Sequence, residues 1–373
     1  MVKLDINVKS CYIHIPFCKK ICSYCDFCKN YYNENIVNDY LDALNEEVIN
    51  NYKNEVLNTL YVGGGTPSCL SDNNLNKLFD VLSNFKLSKD YEFTFECNYE
   101  DITEKFLKKL IKNKVNRLSI GIQTFNEKYS KVLNRRINKE EMLKKINLSK
   151  KYFNNINIDL MYAIPNQSIN ELKQDLEKLV KLEVSHVSTY ALIVEEHTKL
   201  GIEKINEVSD DIQSKMYHMI CNILLKNGYE HYELSNFAKK KSYSKHNLTY
   251  WNNENYYGFG AGASGFINNK RYDNTKSILN YINGKSIAYE ELLDKETLIK
   301  DEVMLNLRKT NGINKKKFKI KYNLSFDDIF DYKKLIKDGI LSENDDNVFI
   351  PYDKLFVSNE IILMLLNTYT LNK

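Results

Sequence analysis

The sequence of 373 residues has almost no net charge to offer, since 53 Lys and Arg against 49 Asp and Glu leave +4. So small a surplus on so long a chain argues against nucleic acid or an anionic membrane as a partner. No apolar run approaches the roughly 18 residues that a membrane span requires. The opening MVKLDINVKS has no apolar core of the secretory-signal type, so the expected location is the cytoplasm. There is no low-complexity tail and no internal repeat. Hydrophobic residues at 43% and charged residues at 27% exclude wholesale disorder. From length alone, one large domain or one large and one small domain is expected.

Cysteine is unevenly placed. Five of the eight cysteines, Cys11, Cys18, Cys22, Cys25 and Cys28, fall in one short stretch, while Cys69, Cys97 and Cys221 are scattered. A secreted disulfide scaffold would be shorter and would spread its pairs along the chain. In FCKKICSYCDFC, Cys18, Cys22 and Cys25 put three thiols on one loop. That spacing lets a loop wrap three corners of a 4Fe-4S cube and leave the fourth iron without a protein ligand. Tetrahedral zinc would need a fourth ligand, which Cys28 or His14 could supply. Cluster, zinc site and plain buried thiols all remain open on spacing alone.

Short β-type runs recur at Cys11–Ile15, Thr59–Val62, Tyr91–Glu96, Arg117–Ile122, Ile156–Tyr162 and His186–Val194, with helical patterns between them. That alternation predicts an α/β fold with a parallel sheet, either a partial barrel or an open doubly wound sheet. In both, ligands collect at the carboxyl ends of the strands. Those ends carry unusual residues: the cysteine loop, Gly63-Gly64-Gly65-Thr66-Pro67, Glu96, Gln123, Asp159, Tyr190 and Glu195. Beyond about residue 235 the alternation stops, and 235–266 reads as loops with short strands. Helical patterns resume near Thr297, followed by a short strand pair around NVFIPYDKLFVS, as in a compact winged-helix module.

The run YIHIPFCKKICSYCDF (12–27) resembles the opening of radical S-adenosylmethionine (SAM) proteins of the oxygen-independent coproporphyrinogen III oxidase class. The resemblance continues through VGGGTPS (62–68), NRLSIGIQTF (116–125), VLNRR (132–136), NIDLMYAIP (157–165), HVSTYALIVEE (186–196), GYEHYELSNFA (228–238), HNLTYW (246–251) and GFGAGAS (258–264). Within that class the oxidases carry an N-terminal extension and a Cys-x-Cys ending. Here Phe27 holds the position of that last cysteine, and the CDF ending, short N-terminus and HNLTYW are similar to the haem-chaperone branch.

The resemblance implies a partial (β/α)6 barrel over 1–235, a connecting region over 236–296, and a C-terminal helical, winged-helix-like module over 297–373. It implies that Cys18, Cys22 and Cys25 ligate a 4Fe-4S cluster whose open iron chelates SAM, and that an electron from the cluster cleaves the sulfonium bond. Tyr12, Tyr24, Gly63, Gly64, Gly65, Thr66, Glu96, Gln123, Arg135 and Asp159 match SAM-contacting positions; in the oxidases some of these meet a second SAM. The glycines would let backbone approach SAM, and the planar fork of Arg135 suits a carboxylate. His246 is the expected haem ligand. Cys11 and Cys28 are read as non-ligands, GFGAGA (258–263) as a loop packed on the barrel, and KKKSYSK and KKKFKIK as solvated faces.

The implied activity is that of a cytoplasmic haem chaperone that takes haem as cargo to respiratory client proteins, including transient contact with membrane-bound ones, with an electron donor if SAM is cleaved. The rival is a coproporphyrinogen III oxidase. Four departures from the pattern stand out: no histidine follows Arg135, Ala163 replaces a common glycine, Cys97 and Tyr99 replace small residues, and Glu196-His197 replaces a Pro-Gly-like turn.

Overall fold

Period-two alternation governs the central strands. In YEFTFEC, RLSIGIQ and NINIDLMY, apolar and polar residues take turns, so one face of each strand is greasy and the other is not. The computed structural model, which describes residues 7–370, shows where each face goes. The strands β1 (Ser10–Ile15), β2 (Val56–Gly64), β3 (Lys86–Asn98), β4 (Arg117–Gln123), β5 (Asn155–Tyr162) and β6 (His186–Ala191) run parallel, in that order across the sheet. Ile13, Ile15, Leu60, Val62, Phe93, Phe95, Leu118, Ile120, Ile158 and Leu160 are fully buried. The opposite parity places Tyr12, Tyr61, Glu96, Ser119, Asn157, Asp159 and His186 on the inner face, where they bond to one another. Parallel strands covered on both sides are usually apolar throughout; here the inner face is polar.

The crossovers are helices α1 (Glu34–Asn51), α2 (Asp72–Leu82), α3 (Glu104–Lys112), α4 (Lys139–Lys150) and α5 (Ile169–Lys181). Val37, Tyr40, Leu41, Leu44 and Val48 of α1 lie at helical spacing and are buried. Asn33 caps α1 by accepting from the amides of Asn35 and Ile36, and Ser168 with Glu171 forms a capping box on α5.

The sheet is larger than six strands. Beyond helix α6 (Asp210–Lys226), strands β7 (Glu230–Glu233) and β8 (Asn236–Ala238) add antiparallel to the β6 edge. After helix α7 (Lys245–Trp251), strand β9 (Tyr257–Phe259) returns to pair parallel with β1 on the other edge. The region expected to connect domains therefore completes the core sheet, and GFGAGA begins inside a strand rather than a loop. Gly258 is needed there because a Cβ would lie 1.9 Å from the Ser264 carbonyl oxygen.

Strands Ser264–Ile267, Lys270–Asn274 and Ile287–Leu292 form a separate antiparallel sheet. The C-terminal part combines helices Lys295–Asn306, Lys315–Tyr322 and Ser358–Leu366 with a small sheet of Ile313–Asn314, Asn347–Phe349 and Ser342–Glu343. The expected strand pair is shifted: Asn347–Phe349 pairs with the preceding Ser342–Glu343, while the residues after Pro351 form a 3-10 turn and then a helix that buries Ile361, Ile362 and Leu365. No helix among the described residues is long and apolar enough to cross a membrane.

Candidate functional site

The cysteine loop sits at the carboxyl ends of the parallel strands. It leaves β1 through Pro16, and Phe17–Cys18 pairs with Asn30–Tyr31 at the loop's exit. Its middle is stapled to the segment after β4. The Ser23 amide donates to the Leu133 carbonyl at 3.1 Å, the Ser23 hydroxyl donates to the Val132 carbonyl, and Asn134 Nδ2 donates to the Ile21 carbonyl at 2.9 Å. The Leu200 amide closes the other side on the Ser23 carbonyl at 3.1 Å.

Cys18, Cys22 and Cys25 face one neighbourhood. The Cys18 thiol is buried and lies 3.5 Å from the Thr66 hydroxyl. Burial pushes it up to about 11, with the thiols of Cys25 and Cys22 adding to the rise. Burial also raises the Cys25 thiol, so a bound metal would have to draw off these protons. Among the described residues no group of three His, Cys, Asp or Glu is gathered tightly enough to hold a single metal ion. His14, a candidate fourth zinc ligand, is committed elsewhere. Its Nδ1 meets Tyr12 Oη at 2.9 Å and its Nε2 meets the Cys28 carbonyl at 2.8 Å.

Arg135 enters the same neighbourhood from the opposite side. Its Nη1 lies 3.8 Å from Cys22 Sγ, and its Nη2 donates to the Gly121 carbonyl at 2.6 Å and to Asn98 Oδ1 at 2.8 Å. Its Nε is buried without a hydrogen-bond partner. Burial opposes its charge, yet Tyr24 and Cys22 hold its pKa above the ordinary value. The guanidinium thus stands as a fixed cation against the sulfur of one loop cysteine. This donor set, three thiols on one loop with a cation against one of them, fits the implied cluster.

The glycine run is explained by the protein's own packing. A Cβ on Gly63 would lie 2.7–2.9 Å from the Glu96 carboxyl, and one on Gly64 would lie 2.8–2.9 Å from the His14 ring. Gly64 also has a φ of +118°, which L side chains rarely adopt. A Cβ on Gly65 would reach Phe17 backbone and Cys18 Sγ at 2.8–3.0 Å. Each glycine thus lets β2 press against a residue of the site.

Glu96 lies on the inner face of β3, two residues before the strand ends, and accepts from Tyr61 Oη at 2.7 Å and from the Gly64 amide at 3.1 Å. Burial, with Asp159 nearby, pushes its carboxyl up to about 7. Asp159 on β5 accepts from Asn157 Nδ2 at 2.8 Å and from Ser119 Oγ at 3.5 Å, and burial raises its pKa. Gln123 ends β4 at φ 71°, after a register shift that follows Gly121. Ala163, just past β5, adopts φ 56°, the conformation that explains glycine's preference there. Tyr12 lies deeper, its ring 5.9 Å from that of Tyr61, and Tyr24 is part of the cysteine loop.

His246 lies away from the cysteines. It is 1% exposed, on α7 against the inner face of the sheet. Its Nδ1 meets Thr59 Oγ1 at 2.7 Å, its Nε2 meets Tyr250 Oη at 2.8 Å, and its ring stacks on Tyr61 at 5.0 Å. Burial and Arg117 lower it to about 3, so the ring is neutral. Both nitrogens are engaged, and ligating an iron would require Tyr250 to release its bond.

Sequence reasoning missed Asn98, Tyr61 and Arg117. Asn98 stands two residues after Glu96 on the same strand face, and that spacing is a signal that could have found it. Arg117 is 1% exposed on the inner face and donates to Thr94 at 3.4 Å. A cavity of about 840 Å³ lies elsewhere: Lys9, Asn58 and Lys309 line it near the amino ends of β1 and β2.

Comparison with known proteins agrees with this geometry. Residues 12–179 match the Radical SAM superfamily and residues 293–351 match the HemN C-terminal domain. The Heme chaperone HemW of Lactococcus lactis is 40% identical over 86% of this chain and 87% of that protein. The Heme chaperone HemW of Bacillus subtilis is 36% identical over 95% of this chain and 98% of that protein. Coproporphyrinogen III oxidase (HemN) of Escherichia coli shares the fold across 99% of this chain and 92% of its own, with a TM-score of 0.85 at 22% identity. The chain belongs to the HemW family of radical SAM proteins.

Proposed function

We propose that this protein is a haem chaperone that carries a 4Fe-4S cluster on Cys18, Cys22 and Cys25, binds SAM beside it, and holds haem for delivery to client proteins. The observation that carries the reading is the buried Arg135 guanidinium set against Cys22 of the loop that carries all three thiols at the carboxyl ends of the strands. When bound, the cluster supplies an electron and an open iron to SAM. The protein's share is placement. Arg135 offers its free Nε to a carboxylate, Glu96 and Asp159 offer acceptors to hydroxyls or an ammonium, and the Gly63–Gly65 strand end leaves no side chain over the cup. Glu96 and Asp159 are half-buried, and desolvation pushes the Glu96 carboxyl up to about 7, which leaves a proton available on it near neutral pH.

The chaperone reading is favoured over the oxidase by Phe27. It stands at the position of the oxidases' last cysteine and is 69% exposed. The names of the relatives at 36–40% identity point the same way. The test is an anaerobic reconstitution with iron, sulfide and hemin quantified on one preparation. About four irons and four sulfides per chain, together with hemin binding, are expected. A redox-silent metal, or no inorganic sulfide, would overturn the reading. In parallel, protoporphyrinogen formed from coproporphyrinogen with SAM and reductant would replace the chaperone with the oxidase.

A further inference from the structure

Asn98 reaches toward two of the loop cysteines through two different intermediaries. Its Oδ1 accepts from Arg135 Nη2 at 2.8 Å, and Arg135 Nη1 lies 3.8 Å from Cys22 Sγ. Its Nδ2 donates to Thr66 Oγ1 at 3.4 Å, and Thr66 Oγ1 lies 3.5 Å from Cys18 Sγ. The amide is held in turn by its own backbone, since the Asn98 N–H meets Ser68 Oγ at 3.0 Å and Ser68 donates to Asp101 at 2.8 Å. The uncharged amide accepts on one side and donates on the other. Aspartate would keep the acceptor and lose the donor, and leucine would lose both.

We propose that Asn98 is a positioning residue for the cluster, fixing the Arg135 guanidinium at Cys22 and the Thr66 hydroxyl at Cys18. The inference rests on the cluster assignment above. Hydrogen bonds and positive charge at cluster sulfurs stabilise the more negative, reduced state, so they raise the reduction potential. Partners that orient first-layer ligands also govern retention of the metal, and their loss commonly costs 10–100-fold in affinity. Asn98 acts on both quantities without touching an iron.

The experiment uses the full chain, reconstituted anaerobically, as wild type, Asn98→Ala, Asn98→Asp, Thr66→Val and the Asn98→Ala/Thr66→Val double variant. Iron and sulfide are quantified first on the wild type; absence of sulfide there defeats the cluster reading itself, separately from the role of Asn98. With the cluster present, Asn98→Ala should move the midpoint potential in the negative direction. It should also speed iron loss to a chelator about tenfold. Asn98→Asp keeps the Arg135 arm and should lose iron more slowly than alanine, while its added negative charge moves the potential at least as far in the negative direction. In the Thr66→Val background, Asn98→Ala should have a smaller effect than alone, because one arm is already gone. Circular dichroism and thermal midpoints of the apo forms identify any variant that fails to fold, and the near-isosteric aspartate stands in for alanine in that case. Unchanged potential and chelator kinetics in the folded variants, or full additivity in the cycle, would overturn the proposal.

Discussion

Removing the His246 imidazole is the most demanding test of the polar inner face. In His246→Ala, Thr59 loses its 2.7 Å partner and Tyr250 its 2.8 Å partner. A buried polar group left unsatisfied costs about 1–3 kcal/mol, and Tyr250, being partly exposed, recovers some bonding from water. The vacated ring also takes away the face that stacks on Tyr61 and leaves a void, which adds roughly 1–2 kcal/mol. The total expected loss is about 2–5 kcal/mol, read by urea unfolding followed by circular dichroism. A loss below about 1 kcal/mol would refute the reasoning. The pH dependence gives a second check. The folded ring sits near 3 against an ordinary 6.5, so folding must expel a proton whenever the unfolded chain holds one. Its contribution is therefore complete above about 6.5 and falls by about 1.4 kcal/mol per pH unit as the pH drops toward 3. His246→Gln should flatten that acid limb. Hemin titration of the folded alanine variant decides the ligand expectation: a weakened affinity supports ligation, and unchanged affinity removes His246 from the haem account.

Serine at Cys18, Cys22 or Cys25 should abolish cluster assembly, seen as loss of sulfide and of charge-transfer absorbance, whereas Cys28→Ser should keep both, its thiol being bonded to the Lys276 carbonyl at 3.4 Å. Gly63→Ala should displace the Glu96 carboxyl, which can swing away, and so weaken SAM binding by tenfold or more in calorimetry while costing under about 1 kcal/mol in stability. Gly64→Ala, facing the His14 ring at positive φ, should cost about 2 kcal/mol or more in urea unfolding. Tyr61→Phe removes a bond that favours the Glu96 carboxylate. Its carboxyl should then titrate still higher than about 7 in infrared difference spectra, and a downward move would contradict the assigned contact.

The six strands were legible because NINIDLMY and its counterparts keep strict alternation between recognisable helices, and the cysteine spacing survives in any reading of the chain. The places of Glu96 and Gln123 at the far ends of apolar strands, and of Asp159 within one, were legible for the same reason. The role of the glycines was not. Their neighbours, Glu96, His14 and Cys18, belong to other strands or to the loop, and only the sheet register brings them together. Strand β9 escaped because three residues of Tyr-Gly-Phe have no periodicity to detect; its place depends on pairing with residues about 245 positions earlier. His246 looked like an exposed loop histidine because α7 is only seven residues long, too short to announce itself.

The late return of β9 also sets a schedule for biosynthesis. The strand that launches the cysteine loop is made well before one of its partners: one of its two edges is closed only by Tyr257–Phe259. At 5–20 residues per second, that flank stays open for roughly 10–50 s of translation. During that interval the nascent chain presents three free thiols beside a bare strand edge. Closure of the sheet thereby waits until about 245 residues beyond β1 have been made, and the thiols need a reducing environment until then.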